Sequence, residues 1–201
     1  MPKSSTSPGS LSKYFPWVLI VCSTIGLLSA SILMVEKIHL LQAPAARLTC
    51  DLNPIIACGS VINTKQASAF GFPNPIIGIA GFAIVLTVGM ALLAGAQFKR
   101  WFWLGLQAGS LFGIGFIHWL FFESVYRIQA LCPYCMIVWS VTIIIFVYTL
   151  IWNLRHGYIN IPSSLQKAVG FLQQNHLGVI ILWYLVITAL ILHHFWYFFG
   201  A

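Results

Sequence analysis

The sequence predicts an all-α integral membrane protein, folded as one compact bundle of transmembrane helices. Three observations carry that prediction. Of the 201 residues, 60% are hydrophobic and 6% charged, with a mean hydropathy of +0.91. Soluble domains average about 25% charged residues, so this chain has too few to cover a water-facing surface. Five apolar stretches reach the roughly 20 residues that a helix needs to cross the hydrocarbon core. Backbone groups in lipid must be satisfied within the segment, so stretches of this length read as helices rather than strands. The net charge of +7 comes from ten basic and three acidic residues spread along the chain. No run of Lys and Arg interleaves with aromatics, which argues against a nucleic-acid partner and for basic residues that orient a membrane protein.

Taken in order, residues 1–16 form a tail whose Ser- and Pro-bearing part, 4–10, is predicted to be disordered. The first span covers 17–35. Its length exceeds the apolar core of about 7 to 15 residues found in a cleaved signal peptide, so it is retained. Residues 36–74 form the longest hydrophilic segment, interrupted by apolar pieces such as Pro54-Ile55-Ile56-Ala57. A loop of this length in a small bundle is usually functional. Its apolar patches predict short interfacial helices that cap the bundle. Spans two, three and four cover 75–96, 101–122 and 131–152, which makes 17–152 one four-span unit with its outer loop. Residues 153–176 read as a plain polar connector, and 177–201 as a fifth helix spanning to 199. Aromatics gather near the span ends, at Tyr14 to Trp17, Trp101 to Trp103, Trp152 and Phe195 to Phe199, as an interfacial belt requires.

Orientation follows from the basic residues. One face carries Lys3, Lys13, Lys99, Arg100, Arg155 and Lys167, and the other carries Lys37, Arg47, Lys65 and Arg127. The tight turn at Lys99-Arg100 counts most, because short loops obey the positive-inside rule best. The predicted topology therefore has the N-terminus, the tail and the connector in the cytoplasm and the C-terminus outside. All three acids, Glu36, Asp51 and Glu123, fall on the outer face.

Four of the five cysteines form two pairs at that outer face. Cys50 and Cys58 have seven residues between them, and Cys132-Pro133-Tyr134-Cys135 opens the fourth span. An oxidising compartment allows disulfides to form and persist. A Cys-x-x-Cys at a helix start favours a thiolate at its first cysteine, because unpaired N–H groups and the positive dipole end lie there. Pro133 suits the first helical turn. Cys132 then reads as the more exposed, exchange-competent thiol, and Cys135 as the one facing the bundle interior. Two bracing disulfides and a four-cysteine zinc site are the rival readings. The labile character of a Cys-x-x-Cys ring speaks against the first. The missing separation of about 15 to 20 residues between pairs speaks against the second. Met136 after Cys135 excludes haem attachment, which needs His there. Cys22, inside the first span, reads as a small buried apolar residue, and His118, His193 and His194 receive no role. Two dithiols at one membrane surface fit a relay of electrons by thiol–disulfide exchange. A quinone is the obvious lipid-soluble two-electron acceptor, since no flavin or nicotinamide motif is present.

Cys50-Asp51, Cys58, Thr64, Phe70-Gly71, Asn74-Pro75-Ile76-Ile77-Gly78 and Cys132-Pro133-Tyr134-Cys135 together resemble the vitamin K epoxide reductase family, its bacterial members most closely, over about residues 14–152. The resemblance implies a four-helix transmembrane bundle around a quinone (menaquinone or ubiquinone), with a fifth transmembrane helix alongside. It implies an active-site disulfide between Cys132 and Cys135, with Cys135 next to the quinone. Cys50 and Cys58 become the shuttle pair, Cys58 meeting the external partner and Cys50 meeting Cys132. Asn74, Thr64 and Trp139 are assigned to the quinone site. Asn74 also fits a helix N-cap, since proline follows it, and Trp139 stands where the animal enzymes have a quinone-contacting tyrosine. Many bacterial relatives carry a thioredoxin-like domain after the fifth span, whereas this chain stops at Ala201. The implied partner is therefore a separate thioredoxin-like protein at the outer face of the plasma (inner) membrane, reoxidised to support disulfide formation. The alternatives are a reductase acting mainly on quinone or quinone epoxide, and a membrane scaffold with structural disulfides.

Overall fold

The computed structural model describes residues 10–43 and 48–196. Lys3 and Arg47 of the charge count, the tail before residue 10 and residues 197–199 of the predicted fifth span lie outside the described residues. Five helices are long and apolar enough to cross a membrane. They are α1 (Ser10–Gln42), α3 (Pro75–Leu93), α4 (Arg100–Phe122), α5 (Pro133–Arg155) and α7 (His176–His194). Among the described residues there is no strand, only a one-residue parallel bridge between Ile56 and Leu131.

The first helix runs further than hydropathy predicts. At 33 residues it is about 50 Å long at 1.5 Å per residue, and it carries Glu36 and Lys37 beyond the predicted boundary. Both charges find partners that make this possible. Thr49 Oγ1 donates to Glu36 Oε1 at 2.7 Å, and Lys37 Nζ donates to the Ile62 carbonyl at 2.9 Å. The outer loop is consequently folded against the end of α1. It contains α2 (Cys58–Ile62) and a 3₁₀ turn (Lys65–Ser68), the short capping helices expected from its apolar pieces.

α1 packs along both α3 and α5, and α4 packs on α5. Small residues permit the close α1–α3 approach. A Cβ on Gly89 would come within 2.8 Å of Ile20 Cγ1, and one on Gly26 would meet the Phe82 ring. In lipid, where apolar surfaces gain little from burial against each other, such close backbone approach is a main source of helix association. α3 and α4 share no comparable interface, and a cavity lies between them. α7 sits outside the four-helix bundle. Trp183 Nε1 donates to His118 Nε2 on α4 at 3.0 Å, and Tyr184 Oη donates to the Ser140 carbonyl on α5 at 2.7 Å. His118 Nε2 accepts, so its proton sits on Nδ1, facing the Ile114 carbonyl at 2.8 Å.

The segment read as a plain connector is more ordered than that. α5 continues to Arg155, a turn follows with Gly157 at φ 66°, and a 3₁₀ turn (Ser163–Leu165) leads into α6 (Gln166–Gln174). Leu165 and Phe171 are exposed beside Lys167, the composition of a helix that lies in a membrane interface.

Candidate active site

The outer loop is built so that its cysteines meet the start of α5. Asn53 Oδ1 accepts from the backbone N–H of Ile55 at 2.9 Å and of Ile56 at 2.7 Å, which turns the chain sharply after Cys50. Asp51 then clamps the loop, Oδ1 accepting from Gly59 N at 2.9 Å and Oδ2 from Leu48 N at 3.3 Å. Within that clamp Cys50 and Cys58 are bonded, their Cα atoms 5.7 Å apart. Two backbone bonds fasten the loop to the strand-like residue ahead of Cys132: Ala57 N donates to the Leu131 carbonyl at 3.0 Å, and Leu131 N to the Ile55 carbonyl at 2.7 Å.

Cys132 occupies the N-cap position of α5 with Pro133 at the first helical position, just ahead of the spanning helix. Its Sγ lies 3.2 Å from Cys58 Sγ. Cys58 and Cys132 are fully buried and Cys50 nearly so, under Leu33, Leu40, Leu48 and Ile62. Cys132 is therefore not the exposed thiol that its place at a helix start suggests, because the loop disulfide covers it. The sulfur it approaches is Cys58, whereas the resemblance paired it with Cys50. Cys132 and Cys135 are both thiols here. A hydrogen bond from the Cys135 side chain pulls the Cys132 thiol below its usual range despite the opposing effect of burial. The backbone N–H groups of Cys135 and Tyr134 add to that pull, and the Asp51 charge works against it. The fifth cysteine, Cys22, is buried among Phe15, Leu19 and Phe82, far from this cluster in the fold.

Cys135 is half-buried and opens onto the cavity between α3 and α4, which has a volume of about 790 Å³. That falls within the roughly 300–1,000 Å³ of small-molecule sites. Its wall is mostly apolar, and Thr64, Gln66, Asn74 and Glu123 bring polar atoms to it. Along α4 the wall carries Gly105, Gly109 and Gly113, which leave a smooth groove. All three residues assigned to a quinone line this space. Trp139 packs edge-on against Phe121, ring centroids 5.5 Å apart. Thr64 spends its hydroxyl on the turn it caps, donating to the Val61 carbonyl at 2.8 Å and accepting from Ala67 N at 3.3 Å.

Asn74 stands at the N-cap position of α3, yet its side chain does not cap that helix. Its Nδ2 donates to the Gln66 carbonyl at 2.7 Å and its Oδ1 accepts from Ala69 N at 3.0 Å. The reason is local: Asn74 has helical φ and ψ, whereas a capping residue is extended. Gln66 and Glu123 escaped the sequence reading. Glu123 has a legible signal, as an ionisable residue at the end of a span, beyond its value as a marker of the outer face. Gln66 has none, since it meets Glu123 across 57 residues of chain.

Compared with known families, residues 17–150 match the model described as the vitamin K epoxide reductase family.

Proposed function

The chain belongs to the vitamin K epoxide reductase family, and from that premise we propose that it is a quinone-dependent thiol oxidoreductase that oxidises a thioredoxin-like dithiol protein. The family is one of membrane oxidoreductases that link thiol–disulfide chemistry to quinones. The single observation that carries the finer reading is the 3.2 Å approach of Cys132 Sγ to Cys58 Sγ, with Cys135 facing an apolar cavity.

Thiol–disulfide exchange passes two electrons when a thiolate attacks a disulfide sulfur and the second sulfur leaves as a thiolate. The partner's dithiol reduces Cys50–Cys58, and its own two cysteines become a disulfide. Cys58 then attacks Cys132 of the Cys132–Cys135 disulfide, forming a Cys58–Cys132 bond and releasing Cys135 as a thiol. Cys50 attacks Cys58, restoring the loop disulfide and freeing Cys132. The conformation described above corresponds to the end of that step, with the loop oxidised and the inner pair reduced. The proximity of Cys58 supports it, rather than Cys50, as the sulfur exchanging with Cys132, and leaves Cys50 to meet the partner.

A quinone bound in the cavity supplies an acceptor for two electrons and two protons. The apolar walls, the glycine groove of α4 and the unpacked α3–α4 seam suit a ring with a lipid tail entering from the bilayer. Asn74 holds the cap of that cavity in place through Gln66 and Ala69, and Cys135 returns to the disulfide with Cys132 as its electrons leave. We place the protein in the plasma (inner) membrane with the cysteines at the periplasmic or outer face, on the basic-residue bias. The test uses purified protein in detergent with a reduced thioredoxin-like protein and a short-chain quinone, followed by absorbance. Turnover is expected in wild type and lost in Cys135→Ala. Cys50→Ala is expected to lose turnover with the protein partner while retaining it with dithiothreitol. No quinone reduction by wild type with any dithiol would overturn this function.

A further inference from the structure

One buried ionisable side chain at the cavity has no part in the electron relay. Glu123 is 3% exposed and shares the cavity wall with Cys135 and Asn74. It opens a π-helical turn, Glu123–Ile128, that follows α4. Turns of this kind are rare and recur at functional sites. Arg127 Nη1 lies 3.1 Å from Glu123 Oε1, on a side chain 63% exposed. On the other side Gln66 Nε2 donates to Glu123 Oε2 at 3.2 Å, and the Gln66 carbonyl accepts from Asn74 Nδ2 at 2.7 Å. A continuous polar line thus runs from solvent at Arg127, through Glu123 and Gln66, to Asn74. The groups along it are Arg127 on Glu123's own turn, Gln66 on the 3₁₀ turn and Asn74 ahead of α3, and Cys135 on α5 shares the cavity wall with Gln66, Asn74 and Glu123. Carboxyl groups at membrane depth are costly and persist where they face a cavity or carry protons.

We propose that Glu123 is the proton-delivering residue of the quinone site, taking a proton from the outer aqueous face and giving it to a quinone oxygen. The proposal rests on the quinone reading above. Exchange uses Cys132 as a thiolate, so the inner pair brings two electrons to the cavity but one proton, on Cys135. Glu123, the carboxylate paired with Arg127, takes up a proton from the outer water and passes it on as the other. The Cys132–Cys135 bond forms, the quinone takes up two electrons and two protons, and Glu123 is left as a carboxylate. The proton lost when Cys132 ionised returns from water to Glu123, so partner dithiol and quinone convert to disulfide and quinol with nothing left over.

The test compares Glu123→Gln and Glu123→Asp with wild type, using a short-chain ubiquinone and dithiothreitol. Glu123→Gln is expected to lower kcat about a hundredfold, the low end of general acid catalysis, with KM for the quinone changed less than about twofold. Glu123→Asp keeps the carboxyl, and its kcat is expected to stay within about tenfold of wild type. Infrared difference spectra on reduction give a readout apart from turnover. A carboxylic C=O band that changes in wild type and Glu123→Asp is expected to be missing in Glu123→Gln. Should Glu123→Gln fail to fold, judged by its thiol count with dithiothreitol, the band and turnover of Glu123→Asp carry the test. Unchanged kcat in Glu123→Gln, an equal loss in Glu123→Asp, or a band that persists without the carboxyl would each overturn the proposal. Absence of quinone reduction by wild type would overturn instead the reading on which it rests.

Discussion

Replacing Cys135 by alanine should raise the pKa of Cys132. The largest influence on that thiol is the hydrogen bond from the Cys135 side chain, which lowers its pKa, and burial is the main opposing one. A hydrogen bond to a charged acceptor is worth about 1.5–3 kcal/mol. Below the Cys132 pKa, losing that bond should slow alkylation of Cys132 about ten- to a hundredfold. Cys135→Ser keeps an O–H donor in place and should stay near wild type. The sign reverses at Asp51, whose charge raises the Cys132 pKa. Asp51→Asn should lower it, by less than the alanine change raises it. The measurement is the pH dependence of Cys132 alkylation by iodoacetamide, read by peptide mass spectrometry in a Cys22→Ser background. Identical profiles for wild type, Cys135→Ala and Cys135→Ser would refute the reasoning and leave the helix N-terminus as the sole cause.

In a Cys50→Ser, Cys135→Ser variant, mild oxidation should yield a Cys58–Cys132 crosslink, whereas Cys58→Ser, Cys135→Ser should give little Cys50–Cys132; the reverse yields would restore Cys50 as the relay sulfur. Gly109→Leu meets nothing within 4 Å at its Cβ, so the fold should survive while the side chain fills the groove. KM for a long-chain quinone should rise about tenfold, a cost of about 1.4 kcal/mol, and dithiothreitol should still reduce the cysteines. Asn74→Ala removes two hydrogen bonds from the cavity cap, at about 1 kcal/mol each. Thermal unfolding should show a loss near 2 kcal/mol, and Asn74→Asp, which keeps Oδ1, about half of it.

The spanning helices were legible because hydropathy is a property of a window. Starts at Pro75, Arg100 and Pro133 fall within two residues of the predicted ones. What the window missed depends on distant partners. Nothing near Glu36 announces that α1 continues to Gln42. The residues that satisfy Glu36 and Lys37 lie 13 and 25 positions away. The burial of Cys132 depends likewise on Cys58, 74 positions away. Motif spacing brought the four cysteines and Asn74 to notice, but it carries no information on which loop sulfur faces inward. That depends on the Asn53 turn and the Asp51 clamp, which aim Cys58 at the start of α5. α6 was hidden by its polarity: Gln166, Lys167, Gln173 and Gln174 dominate its average, although Phe171 marks an apolar side.

The burial of Cys50, Cys58 and Cys132 has a mechanical consequence. A protein partner cannot attack a disulfide that it cannot touch, so the proposed relay requires different loop positions for exchange with the partner and for exchange with Cys132. The hydrogen bonds divide accordingly. Those that Asp51 accepts from Gly59 and Leu48, and that Asn53 accepts from Ile55 and Ile56, lie within the loop and can travel with it. The two between Ala57, Ile55 and Leu131 cross from loop to bundle, as do those from Lys37 to Ile62 and from Thr49 to Glu36, and the pair at Leu131 must break for the cysteines to lift. At about 1 kcal/mol each, with the apolar cover of Leu33, Leu40 and Ile62 added, opening costs a few kcal/mol and the closed form predominates. Hydrogen exchange tests this directly. The Ala57 and Leu131 amides should exchange together and faster than Gly59, whose bond to Asp51 stays intact when the loop opens. Equal rates at all three would mean that the loop unfolds rather than lifts. Mutating Asp51 would then be expected to abolish partner exchange and internal exchange alike.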